Sequence, residues 1–272
     1  MPTSGKCHFP APHLRRNELG KLIRYAAWSS KGHVRDKNQD NLYCGEGFFL
    51  EEMNNGMEEF FVGSTSPGEG SLFAVFDGMG GEKAGETAAY LAAKRMQQID
   101  MKYSEWKKAL FPERFLESFC KAASAEIDSC RKARHYDAMG TTTAAAYVQR
   151  GKVIICNVGD SRIYRYSEGE FRQVSIDHTE SYCFVGNAAL TQYLGIPAEE
   201  MVIEPAVSRF PYRSGDIYLL CTDGVWNCSN ETVLQERLLS ESNIRSKMRN
   251  LFDMVYEYGE RDNATAIILE LK

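Results

Sequence analysis

The most restrictive feature of this sequence is the position of its aspartates, which stand where short apolar segments end. Asp77 directly follows the apolar segment Ser71–Phe76, and Asp223 follows the segment Ile217–Cys221. Segments of this length and composition are typical of β-strands, so each acid is expected at the rim of a sheet. Each Asp-Gly pair taken alone is also typical of a turn, because Asp and Gly are common turn residues.

Several aspartates share this context, and as a group they point to metal chemistry. The members of the group are Asp40, Asp77, Asp160, Asp223 and Asp262. Carboxylates that meet at one rim repel each other and raise each other's pKa unless a cation lies among them. Hard oxygen ligands of this kind favour Mg²⁺ or Mn²⁺.

Helical periodicity occurs in two pairs of segments, separated by runs of strand-like sequence. The four segments are Ala84–Ile99, Leu116–Cys130, Glu231–Leu239 and Ile244–Tyr258. Strands in runs with paired helices predict an α+β fold with antiparallel sheets. Residues 1–20 are polar and punctuated by proline, so we expect a loose N-terminal arm followed by one domain over residues 21–272.

Two local arrangements of strands are predicted in more detail. The segments Glu46–Met53 and Met57–Gly63 flank the turn residues Asn54-Asn55-Gly56, which predicts a β-hairpin with a polar tip. A β-meander is predicted further along the chain. Its strands are Thr141–Val148, Val153–Val158, Ser161–Tyr166 and Phe171–Val174.

Composition excludes several classes of function and location. The chain has 32 Lys and Arg against 37 Asp and Glu, and a net charge of −5 does not favour nucleic-acid binding. No apolar run is long enough for a transmembrane helix, and residues 1–20 lack the apolar stretch of a secretory signal. The 8 cysteines form no C-x-x-C pair, so we expect reduced thiols in a cytoplasmic protein, and we expect a monomer.

A series of short motifs resembles the metal-dependent protein phosphatase 2C family in its bacterial form, over about Leu22 to Leu271. The motifs, in chain order, are Arg35-x-x-Asn38-Gln39-Asp40, Phe76-Asp77-Gly78-Met79-Gly80-Gly81, Met139-Gly140-Thr141-Thr142, Val158-Gly159-Asp160-Ser161-Arg162, Asp177-His178-Thr179, Cys221-Thr222-Asp223-Gly224 and Arg261-Asp262-Asn263-Ala264-Thr265. Each motif alone is weak, whereas the ordered set is specific.

The resemblance implies a four-layer α-β-β-α sandwich, two antiparallel sheets flanked by helix pairs, with two Mn²⁺ or Mg²⁺ ions at one end. It implies that Asp77 bridges the two ions, and that the Gly78 carbonyl completes one shell. It places Asp223 and Asp262 on the first ion.

The resemblance also implies positions for the remaining ligands. Asp40 and Gln39 would face the second ion through water, and Gln39 stands where many members have Glu. Asp160, with Asp223, matches a weaker third metal site of bacterial members.

The implied reaction is hydrolysis of phosphoserine and phosphothreonine in proteins that a serine/threonine kinase has modified, a signalling function. Two adjacent cations acidify a bridging water, which attacks phosphorus in line. Arg35 matches the phosphate-binding arginine, whose planar guanidinium engages two phosphate oxygens. The alternative for Arg35 is an ordinary surface salt bridge.

Besides Gln39, the sequence departs from the family at two points. Met79 replaces the histidine that eukaryotic relatives carry as a candidate general acid, and His178 is expected to be structural. Only Glu180–Ala189 separates the motifs that flank the flap of bacterial members, which is too short for a helical subdomain. The cleft is therefore expected to be open there, and the predicted hairpin over Glu46–Gly63 is a candidate for substrate contact.

Three other functions are compatible with parts of the sequence. Cys156 and Arg162 have the C-x₅-R spacing of cysteine-dependent phosphatases, although Asp160 would repel the phosphate and Ile163–Tyr166 is strand-like. A metal-free binding or regulatory module of the same fold is disfavoured because the three main acids are present. A hydrolase of other phosphoesters stays open.

Overall fold

Two antiparallel sheets form the centre of the structure, a computed structural model that describes residues 22–45, 47–67, 70–79, 81–103, 112–149, 151–180 and 189–272. The predicted arm over residues 1–20 lies outside these residues. The strands within them are β1 (Ile23–Ser30), β2 (Asp40–Cys44), β3 (Phe48–Phe49), β4 (Phe61–Thr65), β5 (Ser71–Met79), β6 (Gly140–Thr141), β7 (Thr143–Gln149), β8 (Lys152–Val158), β9 (Arg162–Ser167), β10 (Glu170–Gln173), β11 (Ala206–Pro211), β12 (Ile217–Cys221) and β13 (Ala264–Leu271).

The first sheet has the spatial order β10-β9-β12-β13-β1-β4, and the second has the order β11-β8-β7-β5-β2-β3, with β6 paired to β5. All of these strand pairs are antiparallel. Antiparallel pairing puts the end of one strand beside the start of its neighbour, so loops distant in sequence meet at the same rim.

Helices cover the outer face of each sheet. They are α1 (Gly81–Tyr103), α2 (Pro112–Arg134), α3 (Asp223–Trp226), α4 (Glu231–Leu239) and α5 (Ile244–Glu257). Helices α1 and α2 pack on the second sheet, whereas α4 and α5 pack on the first. The α-β-β-α sandwich is therefore confirmed.

Alternation of side chains along the strands separates three apolar layers. In β5, Leu72 and Phe76 face the helices α1 and α2, whereas Phe73 and Val75 face the first sheet. All four of these side chains are fully buried. A strand that is apolar on both faces is the pattern of a sheet covered on both sides, which accounts for the continuous apolar runs in the sequence.

The hairpin predicted over Glu46–Gly63 is wrong for the described residues, because its two arms belong to different sheets. Strand β3 pairs with β2 in the second sheet, and β4 pairs with β1 in the first. Between them Gly56 forms a bridge with Ser30 and adopts φ +92°, and a Cβ there would lie 2.6 Å from the Ser29 carbonyl oxygen. The Asn-Gly signal therefore marks a crossing between sheets that is held against β1.

The predicted meander is also split between the sheets. Strands β7 and β8 pair in the second sheet, and β9 and β10 pair in the first, so the chain crosses the sandwich after β8. Gly159, at φ +96°, makes this crossing, and it carries the adjacent Asp160 to the rim. Strand β11, which the sequence did not indicate, is a half-exposed edge strand that ends in proline.

No helix in the described parts of the chain is long and apolar enough to span a membrane.

Candidate metal centre

Strands β2 and β5 place two of the predicted acids side by side, with Asp40 opposite Asp77 in the register. Asp40 is only 2% exposed, and its Oδ2 accepts a hydrogen bond from the Thr222 hydroxyl at 2.8 Å. The backbone N–H of Asp77 donates to Thr142 Oγ1 at 3.1 Å, and its carbonyl accepts from the Thr142 N–H at 2.9 Å. Thr142 thus holds both the N–H and the carbonyl of Asp77.

The other three acids reach the same rim from other strands. Asp223 is the first residue of α3, one residue beyond the end of β12, and Asp262 lies just before β13, which pairs with β12. Asp160 lies in the crossing between β8 and β9. Strand β9 pairs with β12 on the edge opposite to β13. The structure therefore brings together all five aspartates that the sequence singled out.

The electrostatics of Asp77 show how closely the acids are grouped. Burial raises the pKa of Asp77 well above its usual value, and four neighbouring carboxylates raise it further. These neighbours are Asp40, Asp223, Asp160 and Asp262. Asp77 is therefore the centre of the acidic group.

The neighbours of Asp77 show the same effect. Burial raises the pKa of Asp40 to about 8, despite hydrogen bonds with Thr265 and Thr222 that favour its ionised form. Burial and Asp223 raise the pKa of Asp160 to about 6. Burial and Asp262 also raise the pKa of Asp223. These carboxyls cannot all ionise near neutral pH without a cation among them.

The donor set fits a hard divalent cation. It consists of carboxylate and carbonyl oxygens, the ligands that Mg²⁺ and Mn²⁺ prefer. Within the described residues, no three His, Cys, Asp or Glu side chains are already grouped as a metal shell. The acids repel each other in this arrangement, and a bound cation would turn that repulsion into attraction.

The glycines after Asp77 and Asp223 permit close approach of main chains. A Cβ on Gly78 would lie 2.2 Å from the Gly85 carbonyl oxygen in α1, and a Cβ on Gly224 would lie 2.0 Å from the Asn263 carbonyl oxygen. Such distances exclude any side chain, because real Cβ contacts are much longer. The Asp-Gly pairs are thus packing features of the rim as well as chain reversals.

Buried polar side chains to which the sequence assigned no role hold the loops of the site. Asn263 accepts from the Gln39 N–H at 2.8 Å and donates to the carbonyls of Lys31 and Lys37 at 2.7 and 2.8 Å. Thr222 Oγ1 accepts from the Thr265 N–H at 3.0 Å while its hydroxyl donates to Asp40. These side chains lie inside or beside the motifs shared with the family, and this position is the feature of the sequence that could have identified them.

Arg35 lies at the mouth of a cleft of about 510 Å³, and its guanidinium donates to Asp262 Oδ2 at 2.6 Å. We call this space the Arg35 cleft, and it is lined by Arg35, Asp223, Gly224, Asn227, Cys228, Tyr258, Arg261 and Asp262. The hydrogen bond with Asp262 and the charges of Asp223 and Asp77 raise the pKa of Arg35. Its side chain is 52% exposed, so the guanidinium is accessible from solvent.

Gln39 faces an acid that the sequence pattern did not single out. Its amide donates to Glu86 Oε2 at 3.2 Å, and Lys37 Nζ lies 2.6 Å from Glu86 Oε1. Glu86 is 5% exposed and belongs to α1. A buried carboxylate therefore lies between Gln39 and Lys37.

His178 supports the main chain at the Asp160 crossing, as expected. Its ring Nδ1 accepts a hydrogen bond from the Gly159 N–H at 3.1 Å, and the main-chain N–H of His178 donates to the Gly159 carbonyl at 3.0 Å. Burial lowers the pKa of His178, which favours the neutral ring that this contact requires. The indole N–H of Trp226 donates to the Asp160 carbonyl at 3.0 Å from the opposite side.

The C-x₅-R pair does not form a phosphate site. Cys156 is fully buried beneath α2, where its Sγ lies 3.6 Å from Cys120 Sγ. Arg162 belongs to the other sheet, where it pairs with Asp177 at 2.8 Å and stacks on the Trp226 ring. The thiol and the guanidinium therefore serve separate parts of the structure, and a cysteine nucleophile is excluded at this position.

Two expected departures from the family are visible at the rim. Met79 pairs with Gly140 in the register of β5 with β6, so a thioether occupies this position. The Glu180 N–H donates to the Ala189 carbonyl at 3.0 Å, and Thr179 bridges to Leu190. The two ends of the short flap segment are thus joined directly, while residues 181–188 lie outside the described residues.

A family model described as Protein phosphatase 2C matches residues 60–268 of this chain. Serine/threonine phosphatase stp of Listeria monocytogenes is 26% identical over 260 residues, which cover 89% of this chain and 93% of that protein. Serine/threonine protein phosphatase PstP of Mycobacterium tuberculosis is 25% identical over 92% of this chain and 45% of that longer protein. These two relatives align with about nine tenths of the chain.

A solved structure of the catalytic domain of PstP, in complex with two manganese ions, has the same fold. It superposes with a TM-score of 0.72 at 23% identity and covers 93% of this chain and 99% of that domain. At this level of identity the likeness establishes the α-β-β-α architecture.

Proposed function

The chain belongs to the protein phosphatase 2C family, and on this premise we propose which of its residues carry out the reaction. It is a metal-dependent serine/threonine protein phosphatase. The observation that carries the proposal is the group of five carboxylates formed by Asp77 and the four acids around it. Each of these acids comes from a different loop or strand end. Such a group has no structural reason to form without cations.

We assign the metal ligands as follows. Asp77 would serve both divalent ions, and the Gly78 carbonyl would serve one of them. Asp223 and Asp262 would hold the first ion, while Asp40 and Gln39 would serve the second through water. When bound, the ions supply an acidified water as nucleophile and positive charge against the phosphoryl oxygens.

Arg35 binds the substrate phosphate in this proposal. The Arg35 guanidinium lies at the cleft mouth beside Asp262, so an incoming phosphate meets it next to the metal ligands. A guanidinium can engage two phosphate oxygens at once, which orients phosphorus for attack from the opposite side. Met79 cannot donate a proton, so the departing serine or threonine oxygen takes its proton from another source: free water, a water on the ions or a different residue.

Further details belong to the same proposal. The native ions are two Mn²⁺ or Mg²⁺, and Asp160 with Asp223 holds a weaker third ion, which is supported by the effect of Asp223 on the pKa of Asp160. Residues 21–272 act as one catalytic domain and as a monomer. The substrates are signalling proteins modified by a serine/threonine kinase in the cytoplasm, a location supported by the free thiols of all six cysteines in the described residues.

The test combines activity with metal binding. The wild type should dephosphorylate a phosphothreonine peptide with Mn²⁺ and lose this activity in excess EDTA. Asp77→Asn should lose nearly all activity and bind Mn²⁺ more weakly by calorimetry, whereas Cys156→Ser should remain active. Full activity in EDTA, or Mn²⁺ binding unchanged in Asp77→Asn, would contradict the proposal.

A further inference from the structure

The Arg35 cleft is larger than a single phosphate group needs. Its volume of about 510 Å³ lies in the range of sites that enclose whole small molecules, about 300–1,000 Å³. One wall is α3 with the residues that follow it, and the other is the loop from Tyr258 to Asp262. The cleft therefore has room for a residue next to the phosphorylated one.

The two arginines of this cleft differ in their electrostatic partners. Arg35 is paired with Asp262 at 2.6 Å. Arg261 is exposed and lines the same cleft, yet within the described residues it makes no ion pair. An arginine beside this many acids that pairs with none of them is available to an anion from outside the protein.

The main chain that carries Arg261 is held firmly on its N-terminal side. Gly259, at φ +95°, follows the C-cap Tyr258 of helix α5, and the Gly259 N–H donates to the Tyr256 carbonyl at 2.9 Å. The Glu260 N–H donates to the Val255 carbonyl at 3.2 Å. This pair of bonds is the Schellman motif, which fixes the direction in which the chain leaves the helix.

The C-terminal side of the loop is held as well, because Asn263 is tied to three main-chain groups near Gln39. Arg261 therefore extends from a fixed point, and binding through it does not require a loop to become ordered. Tyr258, which is 51% exposed, lines the same cleft and adds an aromatic surface to it. Arg and Tyr are both enriched in recognition surfaces.

We propose that Arg261, with Tyr258 beside it, is a specificity-determining residue that binds an anionic side chain next to the phosphorylated serine or threonine. The anion is the carboxylate of Asp or Glu or a second phosphate. This inference rests on the proposed function, because it takes the phosphorylated residue to lie beside Asp223 and Asp262. It adds a preferred class of substrate, phosphopeptides with flanking negative charge.

The experiment compares kcat/KM for phosphothreonine peptides that differ only in the flanking residues: neutral, acidic or carrying a second phosphate. Arg261→Ala should lower kcat/KM for the acidic and doubly phosphorylated peptides by roughly 10- to 100-fold more than for the neutral peptide, the range of a lost charge-assisted hydrogen bond. Arg261→Lys should restore part of the difference. Arg172→Ala, at an exposed arginine on β10, is the matched control and should change nothing.

Binding of non-hydrolysable phosphonate versions of the same peptides, measured by fluorescence anisotropy, separates this inference from the proposed function. If the wild type hydrolyses none of the peptides but binds the acidic one better through Arg261, the proposed function fails and the binding role stands. If hydrolysis is normal and Arg261→Ala lowers all peptides equally, or none, the specificity role is wrong. Equal losses that include p-nitrophenyl phosphate would instead place Arg261 at the reacting phosphate.

Discussion

Strand β12 has a buried or partly buried aspartate beside each of its ends, and the two have opposite surroundings. Asp216, directly before the strand, is 2% exposed and accepts a hydrogen bond from the Arg165 guanidinium at 2.7 Å. Asp223, directly after the strand, is surrounded by further carboxylates, including Asp77 and Asp262. The same residue type is thus neutralised by the protein at one end and left among like charges at the other.

This difference separates a structural acid from a ligand. A buried carboxylate with a matched guanidinium is complete, and loss of either partner leaves an uncompensated charge. At the other end the nearest guanidinium, Arg35, pairs with Asp262 from a half-exposed position and leaves the remaining carboxylates to each other. Repulsion within such a group lowers the free energy of unfolding of the metal-free protein. Binding of ions to the group raises it again.

The largest expected effect is on catalysis at the acidic end. Asp223→Asn should lower kcat at least about 100-fold, because the loss of a metal ligand removes several kcal/mol of transition-state stabilisation. The metal-free variant should be as stable as the wild type or more so, since one repelling charge is gone. Peptide dephosphorylation with Mn²⁺ and urea unfolding in EDTA measure the two quantities. A variant that is both inactive and clearly destabilised without metal would contradict this contrast.

The opposite result is expected at the other end of β12. Asp216→Asn should lower the free energy of unfolding by about 3–5 kcal/mol, because Arg165 stays buried without its partner. Activity per folded molecule should be unchanged. The double variant Arg165→Met with Asp216→Leu is the control and should recover most of the stability. If Asp216→Asn unfolds like the wild type, the ion pair does not have the role given to it here.

The dependence of stability on pH should also distinguish the two ends. Because the pKa of Asp40 is raised from 3.8 to about 8, the folded state keeps a proton that the unfolded chain releases above pH 4. Stability of the metal-free protein should therefore fall as pH rises from about 4 to 8, with a slope of up to about 1.4 kcal/mol per pH unit for this group. Urea unfolding in EDTA between pH 5 and 8 measures the slope.

The control for this dependence is Asp40→Asn, which should flatten the curve. Mn²⁺ should add more stability at pH 8 than at pH 5, because only the ionised carboxylates bind it. Stability of the metal-free wild type that rises over this interval would contradict the raised pKa.

Elements with strong local periodicity were predictable from the sequence. The bounds of β12 and α4 agree with the prediction, and the aspartates of the rim were all identified. Sheet membership was not predictable from local turn residues, as Asn54-Asn55-Gly56 illustrates, because it depends on pairing with distant strands. Edge strand β11 was missed because its half-exposed side chains give a weak pattern.

The support of the site was less accessible to sequence reasoning than its acids. The hydrogen bond between Thr222 and Asp40 joins residues 182 positions apart, and the pair of Arg35 with Asp262 joins residues 227 apart. Motif order indicates that such segments meet, but which hydroxyl faces which carboxylate depends on register and packing in three dimensions. The acids follow from where strands end, whereas their partners follow from the assembled sandwich.

The smallest expected effect concerns one of these partners. Thr222 is fully buried, donates to Asp40 at 2.8 Å and accepts from the Thr265 N–H at 3.0 Å. Thr222→Val has the same shape but leaves the Thr265 N–H without a partner and raises the pKa of Asp40 further. It should cost about 1–3 kcal/mol of stability and weaken Mn²⁺ binding near neutral pH.

Thr143→Val is a matched control, because Thr143 is also fully buried while its hydroxyl has no hydrogen-bond partner among the described residues. That control should leave the free energy of unfolding unchanged or raise it, because it removes a buried hydroxyl that makes no hydrogen bond. Urea unfolding and Mn²⁺ calorimetry on both variants decide the matter, and equal effects at the two positions would show that the Thr222 hydroxyl does not support the acidic end.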